Sequence, residues 1–331
     1  MLTLGKYRAA GLLRAKSRKH ISSPITVPAS EHSKVWVHAL MILTIGFIAS
    51  SFPVGKLIAE ALPADVMMLI RFTMAAILFM PYIVFKHGWN IPPTKRLLRY
   101  AVLSVPLVTF FWCMFEALKY TSAVNTGALY TTVPAMTALF ALIINGERII
   151  ARQRWGLAMG TLGALWIVFK GDIDALLNLE LNRGDWIFFF GALALSIYSP
   201  LVKRFYSGEA MVIMTFWVIV FGAVWMLLLS FPRLSVVEWS SVSFSVFGGL
   251  LYLALFTTLL SFFLLQFGTV KLGATKVAAY GFLNPVFVLV IVVVMGMSKF
   301  SWVLVPGGLL VITAIFILNG EPLRRRLDAG D

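Results

Sequence analysis

Residues 50–56 read SSFPVGK and residues 197–203 read IYSPLVK. Each places a proline three residues before a lysine at the end of a long apolar run. Proline breaks helices and lysine is costly in lipid, so a chain that makes the arrangement twice needs a reason. The reason is duplication. Pro53 and Lys56 fall on Pro200 and Lys203 at an offset of 147. Pro134, in TTVPAMTALFALII, falls on Pro285, in FLNPVFVLVIVVV, at an offset of 151. Gly127 and Ala128 then face Ala278 and Ala279, and Gly156 faces Gly307. Loops absorb the small difference in offset.

The 331 residues are 60% hydrophobic and 13% charged. A water-soluble domain this apolar could not cover its surface with polar groups, so the expected class is an all-α polytopic membrane protein. A helical span needs ~20 mostly apolar residues. Ten such runs are legible, at about 35–57, 64–86, 97–118, 122–145, 153–170, 186–206, 209–231, 243–267, 272–296 and 301–319. Five spans per copy is an odd number, so the second copy must sit upside down. The expectation is ten transmembrane helices as two inverted five-helix repeats, an architecture secondary transporters use for alternating access. The repeats are placed at residues 35–170 and 183–320, between a basic tail at 1–34 and another at 321–331.

The net charge is +14, and its distribution excludes a nucleic-acid role. With a cytoplasmic N-terminus, 21 of the 28 basic residues fall on the inner side, a positive-inside pattern with both termini cytoplasmic. Residues 1–34 hold no long apolar run and are not a secretory signal peptide. A lipid-associated tail, an early start codon and a transit peptide all remain open for them. The single cysteine, Cys113, excludes an intrachain disulfide and a cysteine-cluster metal site. No metal site and no cofactor are expected, because the four histidines are scattered.

Pro53, Pro134, Pro200 and Pro285 lie within apolar spans that pair under the repeat. Each frees a backbone carbonyl, which lipid tolerates only where neighbours or a wet cavity satisfy it. They are the candidate hinges or kinks around a central cavity. Static kinks that improve packing are the alternative.

At these residues the chain resembles the drug/metabolite transporter superfamily, specifically the ten-span EamA-type exporters. The first half carries the pattern in SSFPVGKLIAEALPADVMMLIRFTMAAILF and EALKYTSAVNTGALYTTVPAMTALFALIINGERIIARQRWGLAMGTLGALWIV. The resemblance covers roughly residues 36–320. It implies export of small metabolites, often amino acids, across a bacterial inner membrane. It also implies a path ringed by spans 1, 3, 4, 6, 8 and 9. The second copy departs from the pattern: Ser298 stands where Glu147 stands in the first.

No nucleophile with a nearby base, phosphate loop or paired intramembrane carboxylate is legible, so no catalytic residue is assigned and an enzyme is not expected. Sparse polar groups within apolar spans are substrate contacts by default. Arg71, in span 2, reads as a structural anchor or as a contact for a carboxylate. Glu116 reads as a carrier of a coupling proton or as an i,i+3 partner of Lys119. Asn125, Tyr130, Tyr198, Gln266, Tyr280 and Asn284 add neutral hydrogen-bonding groups, with Asn284 also placed to cap the carbonyl freed by Pro285. Trp112, with Phe110 and Phe262, adds aromatic faces. Together these describe a cavity for a zwitterion, and a secondary transporter that exports amino acids or related metabolites. The alternatives are a broader drug/metabolite efflux carrier and a non-transporting scaffold subunit. The expected partners are a small-molecule substrate and membrane lipid, with a homodimer as an open option.

Overall fold

The computed structural model describes residues 31–88, 91–121, 123–169, 171–174, 181–296 and 302–319. The side chains of residues 31–35, 124, 125, 128, 168 and 319 are outside that description. The chain divides into two units, Met1–Trp36 and Val37–Asp331, and the helical bundle belongs to the second. Both basic tails lie outside the described residues, apart from the start of the first helix.

The described elements are all helical, joined by short turns and loops. The first half runs α1 (Glu31–Ile58), α2 (Ala64–His87), α3 (Thr94–Tyr120), α4 (Ala123–Tyr130), α5 (Val133–Asn145) and α6 (Ala151–Val168). The second begins with α7 (Arg183–Phe205) and α8 (Met211–Leu234). It continues through α9 (Phe244–Ala254), a π turn (Leu255–Leu260) and α10 (Ser261–Leu272). Then come α11 (Ala274–Ala279), a 3₁₀ turn (Tyr280–Leu283), α12 (Asn284–Val294) and α13 (Val305–Asn319). By length and composition, seven stretches suffice to cross a membrane: Trp36–Ile58, Ala64–His87, Thr94–Tyr120, Arg183–Phe205, Met211–Leu234, Phe244–Leu272 and Ala274–Val294. Val133–Asn145 and Trp302–Leu318 are shorter and apolar. Exposed large apolar side chains run over the surface, among them Phe85, Phe244, Leu228 and Phe316. Water would not tolerate so much of this surface, whereas lipid tails do.

The four prolines act in two ways. Pro53 and Pro200 sit inside continuous helices. Serines beside them bond back to carbonyls of the preceding turn. Ser51 donates to Ile48 O at 2.6 Å and Ser196 to Ala192 O at 2.7 Å. These bonds fall on Ile48 O and Ala192 O, whereas the carbonyls left without a ladder N–H by Pro53 and Pro200 are those of Ala49 and Ser196, four residues back. Pro134 and Pro285 do not kink a running helix. Each stands in the first turn of a new segment, α5 or α12, where its missing N–H costs nothing. The fourth and ninth apolar runs are therefore broken helices, with a turn at Thr131–Thr132 in one and Tyr280–Leu283 in the other.

Helix pairing places α2 against α8, α6 against α13, α3 against α7 and α8, and α5 against α7 and α11. In lipid, close approach rests on small residues, since helices gain nothing hydrophobic by leaving the tails. The α6–α13 seam has this form. A Cβ built on Gly163 would lie 2.7 Å from Gly307 O, and one on Gly307 would lie 2.6 Å from Gly163 O.

Candidate functional site

A narrow central cavity lies among the long helices, with about 30 Å³ of free volume in this state. Helix α1 contributes Ile45 and Ile48, α3 contributes Phe110 and Phe111, and α7 contributes Leu195 and Ser199. The broken helix α4–α5 contributes Tyr130, Val133 and Thr137. The second half adds Phe262 and Leu265 from α10, Val277 and Ala278 from α11, and Gly281 from the 3₁₀ turn. Only the hydroxyls of Tyr130, Thr137 and Ser199 offer side-chain polarity, and no charged side chain is among the described lining residues.

The wall repeats itself. Ile48 and Leu195 stand at the offset of 147 that relates Pro53 to Pro200. Phe111 and Phe262, like Tyr130 and Gly281, stand at the offset of 151 that relates Pro134 to Pro285. The rings of Phe111 and Phe262 meet with centroids 5.3 Å apart. A Cβ on Gly281 would lie 3.2 Å from Tyr130 Cε1. The two halves thus offer corresponding positions to one another at the middle of the molecule.

Of the polar candidates whose side chains are described, Tyr130 alone lines this cavity; Phe110 and Phe262 join it there. Tyr198 and Gln266 are fully buried and bonded to each other, Gln266 Nε2 donating to the Tyr198 hydroxyl at 2.9 Å. The Thr215 hydroxyl donates to Gln266 Oε1. This chain ties α7, α8 and α10 together and leaves Gln266 little to offer a ligand. The Tyr280 hydroxyl is hydrogen-bonded to His38 Nδ1 of α1. Asn284 is fully buried, and neither its amide nitrogen nor its oxygen has a partner. It therefore does not cap a backbone carbonyl. Trp112 packs half-buried on the core with Nε1 unpartnered. The side chain of Asn125 lies outside the described residues.

The charged groups have local partners. Lys119 Nζ pairs with Glu116 Oε2 at 2.8 Å, one helical turn away. Lys56 Nζ donates to Leu118 O near the end of α3 at 2.7 Å. Lys203 Nζ reaches Glu147 Oε1 at 2.8 Å, and Thr275 donates to Glu147 Oε2 at 3.4 Å. Glu147 follows the left-handed Gly146 that ends α5 (φ +68°), and so ties that corner to α7 and α11. Arg71 differs from all of these. It has 0% exposure, and no acid pairs with it among the described residues. Nε donates to Thr258 Oγ1 at 2.6 Å, and Nη2 to Thr257 Oγ1 at 2.6 Å and Thr257 O at 3.1 Å. Its Cζ lies 4.2 Å from the Phe111 ring centroid. Nη1 has no partner. The adjacent threonines of the π turn were the available signal for this cluster: two hydroxyls side by side in an apolar span.

The model of the EamA-like transporter family matches residues 35–169 and matches again over residues 182–320. The chain belongs to the EamA-like transporter family. It is 28% identical over 252 residues to the uncharacterized transporter YyaM of Bacillus subtilis (strain 168), covering 76% of this chain and 82% of that one. It is 25% identical over 287 residues to an uncharacterized transporter of Archaeoglobus fulgidus, covering 86% and 97%. A solved crystal structure superposes with a TM-score of 0.69 at 17% identity, over 90% of this chain and all of the other, a likeness of fold alone. The EamA-family chain is thus a polytopic membrane transporter. Its central cavity, walled by both matched regions, is the candidate transport site.

Proposed function

We propose that this EamA-family protein is a secondary transporter that carries small metabolites by alternating access through the central cavity. The observation that carries the reading is the paired wall: Ile48 with Leu195, Phe111 with Phe262, and Tyr130 with Gly281, at the offsets of the internal repeat. A site built from matching positions of two halves opens to either side when the halves rock against each other. Supporting it are the broken helices, whose proline-led segments α5 and α12 begin beside the cavity. In this reading the seven long stretches, with α4–α5, α6 and α13, make ten spans in two inverted copies. The distribution of basic residues supports termini on the inner side, and the family resemblance supports a bacterial inner membrane.

The lining bears on the substrate. The amino acid expected from the family resemblance would bring an ammonium and a carboxylate, and the described wall holds no charge to meet either. Three hydroxyls among aromatic and aliphatic side chains favour the broader efflux reading, for small molecules with a mostly apolar or aromatic body. Counterflow in proteoliposomes with a labelled panel of amino acids and apolar metabolites tests the function. Alternating access is tested on a Cys113→Ser background with single cysteines at Ile48 and Leu195. Labelling from opposite sides that changes in opposite senses on substrate addition supports it. Labelling of both from one side in every condition rejects it.

A further inference from the structure

We infer that Arg71 is the anion-recognition point of the transport path, and that the substrate it selects is an organic monoanion: a carboxylate on an aromatic or aliphatic body. The inference rests on the transport reading above and deepens it. An arginine side chain is always charged, and one sealed from water demands compensation. Arg71 is fully buried, yet the threonine hydroxyls and carbonyl that hold Nε and Nη2 are neutral. No acid pairs with it among the described residues, and Nη1 has nothing to donate to. The site therefore has a positive charge already oriented, with the N–H groups of Nη1 unpartnered. Asp65, buried as well, meets the opposite charge of Arg233 at 3.1 Å through Oδ1 while its Oδ2 is unpartnered, and Asp185 accepts from the neutral Thr121 at 2.6 Å.

Position connects this charge to the path. The Phe111 ring that covers the guanidinium also lines the central cavity and touches Phe262. Arg71 itself does not line the cavity, so the proposal requires the Phe111 ring to rotate aside when the ligand binds. The body of the ligand then lies among Phe110, Phe262 and Tyr130. A carboxylate accepts from the unpartnered Nη1 donors, whereas an ammonium meets a cation and no acid on the described wall. The clasp on Thr257 and Thr258 fixes the guanidinium against the π turn, a local geometry that often marks functional sites.

The test uses the full chain in nanodiscs and three probes that share one body: phenylacetate, phenylacetamide and phenethylamine. Binding is read by titration calorimetry and by the shift in unfolding temperature. The expected order is phenylacetate first, by about tenfold or more over the amide, the range for a hydrogen bond to a charged group. Arg71→Gln abolishes the preference and Arg71→Lys retains part of it. Should Arg71→Gln not fold, the wild-type ranking together with Arg71→Lys still decides. Equal binding of acid and amide, or preference for the amine, overturns the anion assignment and leaves the apolar-cavity reading standing. Binding of none of the three removes both.

Discussion

The rings of Phe111 and Phe262 touch at 5.3 Å between centroids, from positions 151 residues apart that correspond under the internal repeat. The pair is equal in sequence and unequal in surroundings. Phe111 also carries the Arg71 guanidinium, while Phe262 packs beside Tyr198 at 6.4 Å and Phe72 at 6.4 Å. One half of the site is charged behind its aromatic wall and the other is neutral.

That inequality makes a measurable difference. Phe111→Leu is expected to cost more stability than Phe262→Leu, by about 1–2 kcal/mol, the worth of a desolvated cation–π contact. Unfolding of both variants in the same detergent checks it. Equal losses would mean that the stacking contributes nothing beyond packing.

At the crossing of the broken helices, Gly281 leaves room that a side chain would take. Gly281→Ala should cost a little stability, since its Cβ would lie 3.2 Å from Tyr130 Cε1 and 3.5 Å from Pro134 Cγ and the buried Tyr130 ring must give by a few tenths of an ångström. Gly281→Leu fills the cavity and lowers the transport rate by about tenfold or more, as misplacement in a fitted site does, with membrane levels unchanged. Initial rates in proteoliposomes, normalised to inserted protein, decide the matter.

Asn284 has no hydrogen bond to lose. Asn284→Leu should therefore leave stability unchanged or raise it, by up to about 1–3 kcal/mol, the cost of a buried unsatisfied amide. The same variant should slow transport, because an amide kept at this cost beside Pro285 is useful only in another state of the cycle. Rates and unfolding on one preparation separate the two effects. Lower stability with normal rates would assign the amide a structural role instead.

Glu147 and Lys203 join the α5–α6 corner to α7 at 2.8 Å, with Lys203 43% exposed. An ion pair this wet is worth about 0–1 kcal/mol, so Glu147→Gln should scarcely move the unfolding temperature. Its effect should fall on the balance between states, as faster labelling of a cysteine at Val277, which lines the cavity on α11. The exchange Glu147→Lys with Lys203→Glu should restore the slow rate. A labelling rate unaffected by either change would show that the pair is not a latch.

Gly163 and Gly307 face backbone at 2.7 and 2.6 Å. Backbone cannot swing aside, so Gly307→Val should destabilise by about 1–3 kcal/mol through overpacking. Gly308→Val, with open space at its Cβ, is the control and should cost far less. Paired thermal unfolding curves check the difference.

What was legible in the sequence was what depends on near neighbours. Apolar runs locate helices because each span must satisfy its own backbone in lipid. Pro134 and Pro285 mark the breaks because a missing N–H acts on the adjoining turn. The i,i+3 pair of Glu116 and Lys119 follows from helical pitch. The partners of the other polar groups depended on how the helices rotate and pack, and chain spacing says nothing of that. Arg71 finds Thr257 and Thr258 across 186 and 187 residues, and Gln266 finds Tyr198 across 68. Tyr198, Gln266 and Tyr280 read as cavity donors by type, but neighbouring helices consumed their hydrogen bonds first. The wall fell instead to Phe111, Thr137, Ser199 and Gly281. A lone polar residue in an apolar span announces that it needs a partner, and only the assembled bundle decides whether that partner is protein or ligand.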